Sequence, residues 1–252
     1  MSGGSAMSVV ILSDVHANIQ ALRAVLDDVA RVAPHAPIWH CGDVVGYGAS
    51  PNDVIAELQR VGATGVMGNH DLAALGDDIV ESFNEGARTA ALWTRDVLTA
   101  QSREWLRALP RVMEMGSATL VHASLRDPIA EYVMDATTAE ENLRGLSTPI
   151  LFHGHTHIPA LWELQGEIAQ LTAVNADPIA LRGPSLVNAG SVGQPRDRDP
   201  RAAWLLWERD EERAGLGRVT WRRVEYDIPS AQEAIDAAGL PDVLASRLAV
   251  GR

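Results

Sequence analysis

Residues 8–18 read S-V-V-I-L-S-D-V-H-A-N. The apolar run is short and unbroken, which fits a strand buried on both faces. It stops at Ser13, and Asp14 and His16 follow at once. From Asn18 the period changes. Ile19, Leu22, Val25, Leu26, Val29 and Val32 recur at helical spacing and mark one face of a helix. A strand that ends in a polar turn and feeds an amphipathic helix is the first half of a βαβ unit.

Working outward, the unit repeats. P-I-W-H-C at 37–41 reads as a second strand, and Ser50-Pro51 as an N-cap followed by proline at the first helical position. That helix runs to about Val61 with Val54, Ile55 and Leu58 inward, and residues 64–67 form a third strand. Residues 84–108 are predicted helical in two pieces, broken near 99–102, with Trp93, Leu98, Trp105 and Leu106 as core contacts. Strands are expected at 111–115 and 118–122, a helix at 138–145 and a strand at 149–153. The chain then turns mainly β, at 159–164, 167–172, 179–182 and 185–188. A hairpin of 201–208 and 217–226 follows, around E-R-D-E-E-R-A-G-L-G. Ser230 begins a short helix and Pro241 another segment. The expectation is an α/β fold, a two-sheet αββα sandwich forming a single domain over 8–252, behind a disordered tail at 1–7.

The chain has 252 residues, 33 acidic against 21 basic, for a net charge of −12; every base is arginine. Such a field repels polymeric nucleic acid and anionic membranes. It leaves room for a small phosphorylated ligand, because bound metal inverts the local charge. A single cysteine, Cys41, excludes a disulfide framework and any cysteine-rich zinc site. No apolar run approaches the roughly 18 residues of a membrane span, and no signal peptide is recognisable. A cytoplasmic enzyme is the expectation.

Six of the eight histidines fall in a few short segments. The segments are S-D-V-H-A-N (13–18), C-G-D-V-V-G-Y-G (41–48), M-G-N-H-D (67–71), L-V-H-A-S (120–124) and H-G-H-T-H (153–157). Each lies at or just beyond the carboxyl end of a predicted strand, the edge where open α/β sheets bind ligands. Gly42, Gly68 and Gly154 immediately precede Asp43, Asn69 and His155. Imidazoles mixed with carboxylates and an amide oxygen suit manganese, iron, cobalt, nickel or zinc. Seven candidate ligands are too many for one tetrahedral ion, which takes about four. If one carboxylate bridges, they serve two ions, a clamp suited to displacement at phosphorus.

The five segments, in this order, resemble the calcineurin-like metallophosphoesterase superfamily: D-x-H, G-D, G-N-H-[DE], H, then G-H-x-H. The likeness spans Asp14 to about Pro200. G-D-V-V-G-Y-G, V-H-A-S-L-R-D-P and N-A-G-S-V-G-Q-P-R-D-R-D-P-R-A look most like the small bacterial and archaeal phosphodiesterase, diadenosine-tetraphosphatase-like branch. The resemblance implies one metal on Asp14, His16, Asp43 and His157, and a second on Asp43, Asn69, His122 and His155, with Asp43 bridging. It implies two divalent ions, manganese first, with iron, zinc, nickel, cobalt or magnesium as alternatives. A hydroxide between the ions would attack phosphorus. His70 would assist at the phosphoryl or leaving oxygen, and Asp71 would fix its orientation and tautomer. The branch commonly shows V-H-G-S-P where this chain has Ala123 and Leu125, and some relatives carry cysteine in place of His70.

Other residues have blander readings. His153 is expected behind the ligands or at a strand end, and His35 and His40 at exposed loop or strand-end positions. Cys41 reads as a small buried apolar group. Arg196 and Arg126 are candidate phosphate grips, against a loop salt bridge to Asp197 or Asp199 and a turn before Asp127-Pro128 respectively. Asn18, a helix cap or a substrate contact, and Tyr47 complete the candidate pocket. The function implied is a two-metal phosphoesterase acting on a small phosphodiester or nucleotide. A phosphomonoesterase or dinucleoside polyphosphate hydrolase on the same centre is one alternative. A non-catalytic scaffold or phosphate sensor is another.

Overall fold

The computed structural model describes residues 7–213 and 215–252. Except for Met7, the tail expected at 1–7 lies outside the described residues. The first half of the chain alternates strand and helix: β1 Ser8–Leu12, α1 Ile19–Val32, β2 Ile38–His40, α2 Pro51–Arg60, β3 Thr64–Gly65 and α3 Asn69–Ala74. A 3-10 turn, Asp78–Ser82, leads to α4 Glu85–Val97 and α5 Ala100–Arg107. Then come β4 Val112–Met115, β5 Ala118–Val121, α6 Ala136–Arg144 and β6 Ile150–His153. The later strands are β7 Ala160–Gln165, β8 Ile168–Thr172, β9 Ile179–Ala180, β10 Ser185–Asn188, β11 Ala202–Glu208 and β12 Arg218–Val224. Helices α7 Ile228–Ala237 and α8 Asp242–Ser246 and a 3-10 turn, Arg247–Val250, end the chain.

Two mixed sheets of six strands carry this order. One runs β3-β2-β1-β11-β12-β9 and the other β4-β5-β6-β10-β7-β8. In the first, β3, β2 and β1 are parallel; in the second, β5, β6 and β10 are. The period of two along β1 explains the layering. Val9 and Ile11 face the core between the sheets, with Trp39, Phe152, Val187 and Trp207. Val10 and Leu12 face Leu22, Val25, Val54 and Leu58 of α1 and α2. On the far side, Ala139 and Leu143 of α6 cover Val121, Leu151 and Leu186. Helices therefore cover both outer faces, as the αββα reading requires. A fourth cluster packs α7 and α8 against Tyr47 and α4.

The predicted hairpin forms, with Glu208 opposite Arg218 and the Arg218 Nε donating to Glu208 Oε2 at 2.6 Å. Local signals fared unevenly. Asn18 caps α1 by accepting the Ala21 N–H at 3.0 Å. Ser50 sits at the N-cap of α2, yet its hydroxyl makes no cap bond; Pro51 takes the first turn as expected. His40, expected at an exposed position, is fully buried. It ends β2, a strand covered on both faces, beneath Gly65 and beside Trp105, and neither ring nitrogen has a partner. His35 is exposed.

Candidate metal centre

The carboxyl ends of the parallel strands of both sheets meet at one edge, and their loops are laced together by backbone bonds. Asp14 N–H donates to Gly42 O at 3.1 Å, His16 N–H to Asp43 O at 3.0 Å and Gly193 N–H to Asp14 O at 2.9 Å. Gly154 N–H donates to His122 O at 2.9 Å. Among the described residues eight other than glycine have left-handed backbone, and Asp14, His16, Asp43, His155 and His157 are five of them. Each such residue costs on the order of 1–3 kcal/mol, and strain of this kind collects at functional sites. Gly154 is where the loops press closest. A Cβ there would lie 1.8 Å from Ser13 Oγ and 2.3 Å from Asp14 Oδ2.

Six of the seven predicted ligands converge in two groups, and Asn69 lies against the second. Asp14, His16, Asp43 and His157 form one, and Asp43, His122 and His155 the other, all buried. His16 Nε2 lies 3.0 Å from His157 Nε2 and 3.6 Å from Asp43 Oδ2; His157 Nε2 lies 3.2 Å from Asp14 Oδ1. In the second group His122 Nε2 lies 3.4 Å from Asp43 Oδ2, 3.0 Å from His155 Nδ1 and 2.8 Å from Asn69 Oδ1. One oxygen, Asp43 Oδ2, faces both groups.

The outward ring nitrogens settle the tautomers. His16 Nδ1 donates to Val45 O at 3.1 Å, His157 Nδ1 to Gln194 O at 2.6 Å and His122 Nδ1 to Cys41 O at 2.9 Å. His155 is turned the other way, its Nε2 donating to Ala130 O at 3.2 Å. A carbonyl can only accept, so each remaining nitrogen presents a lone pair inward. Burial holds all four imidazoles neutral, with His122 at about 3 and His155 at about 2. Asp14 Oδ2 accepts from Ser13 Oγ at 2.6 Å and His155 N–H at 3.2 Å, whereas Asp14 Oδ1 has no hydrogen-bond partner. Burial pushes Asp14 up to about 7 and Asp43 well above the carboxylate range. Converging lone pairs, an orphaned buried carboxylate oxygen and two carboxyls short of counter-charge are what divalent cations would satisfy. The donor set fits two such ions sharing Asp43.

The chain belongs to the calcineurin-like phosphoesterase superfamily. The family's domain model, described as the calcineurin-like phosphoesterase superfamily domain, matches residues 7–211. The superfamily is dinuclear metal-dependent, and its members are hydrolases acting on phosphoric ester bonds. This chain is such a hydrolase. It is 32% identical over 251 residues to an uncharacterized protein of Methanocaldococcus jannaschii, covering 97% of this chain and 98% of that one. A crystal structure of a metallophosphoesterase from Sphaerobacter thermophilus superposes with a TM-score of 0.84 at 38% identity, covering 98% and 99% of the two chains. A symmetrical bis(5'-nucleosyl)-tetraphosphatase of Baumannia cicadellinicola is 28% identical over 169 residues, 62% of this chain and 57% of its own.

Around the phosphoesterase centre the other candidates divide. His70 is buried, its ring 4.3 Å from Tyr47, 4.5 Å from Phe83 and 5.0 Å from His16. Its Nδ1 has no partner and faces Gly46. Asp71 does not orient it. Asp71 Oδ1 accepts from Val45 N–H at 3.0 Å and Oδ2 from Gly68 N–H at 2.9 Å, so the carboxylate clamps two ligand loops together. Arg196 makes no salt bridge to Asp197 or Asp199, which pair with Arg223 and Arg201. Its guanidinium donates to Gln194 Oε1 at 2.8 Å, and its charge bears on Asp14, Asp43 and His70. Arg126, offered as a phosphate grip, is instead tied by its guanidinium to Glu131 and Glu141, ion pairs that occupy its fork. Asn18 is likewise spent, on the helix cap and on Gly193 O at 2.9 Å.

Cys41 is fully buried, and burial raises its thiol well above the usual range, as an inert packing group requires. His153 is buried at the end of β6, where Asn188 Nδ2 approaches its Nδ1 at 3.5 Å. Three contributors were not assigned from sequence. Asn188 Nδ2 holds the histidine loop through Gly154 O at 2.6 Å and Thr156 Oγ1 at 3.0 Å. Tyr132, 49% exposed, stacks on His155 at 3.9 Å. Arg247 reaches Tyr47 from the end of the chain. Asn188 opens the N-A-G-S stretch, a buried polar residue at a strand end, and was the only one with a visible signal.

Proposed function

We propose that the chain hydrolyses a small phosphodiester or nucleotide with two divalent ions, manganese first among them. The observation that supports this best is the position of Asp43 Oδ2 between two sets of inward lone pairs. Bound there, such ions supply positive charge at the phosphoryl oxygens and bring the acidity of the attacking water toward neutrality. Asp14 Oδ1, Asp43 Oδ2, Asn69 Oδ1, His155 Nδ1 and the Nε2 atoms of His16, His122 and His157 would hold them. Burial, reinforced by the Arg196 charge, keeps His70 neutral. With Nδ1 walled off by Gly46, Nε2 is the nitrogen left to donate a hydrogen bond to the leaving oxygen. The Arg196 guanidinium would steady the non-bridging oxygens. The reading carries a cytoplasmic setting, with no membrane or polymeric nucleic acid as partner. Among the described residues no helix is long and apolar enough to cross a membrane.

A second reading, hydrolysis of a dinucleoside polyphosphate on the same centre, is favoured by the 28% identity to the Baumannia enzyme. Metal-stripped protein assayed on bis-p-nitrophenyl phosphate, p-nitrophenyl phosphate and diadenosine tetraphosphate distinguishes them. Manganese, nickel, cobalt, magnesium and zinc are restored one at a time. Turnover that returns with metal and is lost in Asp43→Asn supports the mechanism, and the preferred compound chooses between the readings. His70→Ala should lower kcat by roughly 10²–10⁴ without changing metal content. Absence of turnover on all three, in protein carrying two ions, would overturn both readings.

A further inference from the structure

The family match ends at residue 211, yet the last residues of the chain return to the metal centre. Arg198 N–H donates to Gly251 O at 2.8 Å, which pins the final turn to the loop that carries Arg196. Gly251 has φ 61°, and a Cβ there would lie 2.7 Å from Asp199 N. Only glycine combines that backbone with so close an approach. Leu244 and Leu248 pack with Tyr47, Ala231 and Ile235 and hold the same turn from its other side.

The docking brings a second arginine to the centre. Arg196 Cζ lies 5.5 Å from the centroid of the Tyr47 ring, and Arg247 Cζ lies 6.0 Å from it. The same ring stands 4.3 Å from His70 and 4.7 Å from His16. Among the described residues neither guanidinium pairs with an aspartate or glutamate side chain, since Asp197 and Asp199 are held by Arg223 and Arg201. Arg247 Nε donates to the main-chain oxygen of Arg252, and Arg196 Nε is buried without a partner. Burial and then the Arg196 charge press the Arg247 guanidinium below its usual pKa. Two guanidiniums, neither paired with an acidic side chain among the described residues, approach one aromatic ring in a chain of net charge −12. A planar guanidinium fork matches phosphate oxygens two at a time, and an anion between two of them removes their repulsion.

We propose that Arg196 and Arg247 form a second anion subsite beside the metal centre, which takes a phosphoryl group joined to the one that reacts. The substrate would then carry at least two linked phosphates. The inference rests on the phosphoesterase reading for the position of the reacting phosphorus, though not for the existence of the subsite.

AMP and ADP differ by one phosphoryl group and serve as probes. Each is measured as a competitor of bis-p-nitrophenyl phosphate hydrolysis and by calorimetry on the metal-loaded protein, with free metal held constant. The expected result is tighter binding of ADP than of AMP, by about tenfold or more, with that ratio falling toward one in Arg247→Met. Using the ratio cancels any general loss of affinity at the centre. If Arg247→Met does not fold, Arg247→Lys keeps stem and charge without the fork, and should lower the ratio about threefold. A wild-type ratio near one, or a ratio unmoved by either substitution, overturns the subsite. If the wild type turns over nothing, the proposed function fails, and the calorimetric ratio still decides the subsite.

Discussion

The Nε2 atoms of His16 and His157 lie 3.0 Å apart, and neither can donate to the other, because each ring spends its proton on a backbone carbonyl. Two lone pairs held face to face in a buried site repel. The fold therefore stores an unfavourable contact that a cation would convert into two bonds. Chelation should lower the melting temperature, and added manganese should restore it. At a metal concentration 100 times Kd the gain is about 2.7 kcal/mol for one site. His157→Ala should reduce bound metal from two ions to one, and Asp43→Asn should weaken both, as read by elemental analysis of the dialysed protein. Equal melting temperatures with and without chelator would contradict this.

Metal uptake should release protons from carboxyls rather than imidazoles. Burial raises Asp14 to about 7 and Asp43 well above its ordinary value, while the ligand imidazoles are already neutral. Below pH 7 the stripped centre holds carboxyl protons that an incoming cation must displace. Affinity should thus rise with pH through about 7, the value to which Asp14 is raised. Calorimetry at pH 6 in two buffers of different ionisation enthalpy should show release of at least about one proton. Heats that do not depend on the buffer would refute the assignment.

Asp71 accepts Val45 N–H and Gly68 N–H, so its work is mechanical. Asp71→Asn must turn an NH₂ group toward one of those donors. A loss of about 2–3 kcal/mol is expected, since charged acceptors are strong and an unmatched buried donor is costly. Residual turnover should keep the wild-type pH profile. A tautomer-fixing role behind His70 would instead move the profile and leave stability in urea unchanged.

Gly154 permits the close crossing of the histidine loop over Ser13 and Asp14. Gly154→Ala should cost several kcal/mol, on the scale of an overpacked and distorted core, and should deplete metal. Gly183, with nothing within 4 Å of a Cβ position, is the matched control, and Gly183→Ala should melt like the wild type. If the two variants melt alike, the loop is softer than this packing implies.

How far the sequence could be read depended on the reach of each signal. Strands and helices with several apolar residues in period were visible, and so were the ligands, because glycine, aspartate and histidine recur at strand ends. Helix α3 was not, since six residues, Asn69–Ala74, are too few to show a period and begin on the G-N-H-D motif itself. The carbonyls of Cys41, Ala130 and Gln194 that fix the histidine tautomers carry no signal, because any residue supplies one. Asp71 was expected to orient His70 because the resemblance implied a carboxylate behind the catalytic histidine. On a helical turn adjacent side chains point apart, and the carboxylate found backbone amides instead. Arg126 and Arg196 looked alike in composition; only the fold reveals that Glu131 and Glu141 occupy the first.

His40 supplies a prediction on stability that is independent of the metals. Its ring is fully buried with both nitrogens unpartnered, and burial lowers its pKa from 6.5 to about 4. The unfolded chain takes up a proton near 6.5 and the folded chain holds out to about 4, so the unfolded state binds more protons between those values. Stability is then fully present above about pH 6.5 and falls as pH drops toward 4, by on the order of 3 kcal/mol. Asp14 works in the opposite sense, because its folded pKa is raised. The measurement is therefore the difference between wild type and His40→Leu, both with chelator, by urea unfolding at pH 7, 6, 5 and 4.5. Leucine removes the titration and the two unpartnered nitrogens. The variant should gain on the wild type progressively as pH falls, and a difference independent of pH would show that His40 is solvated or paired in solution.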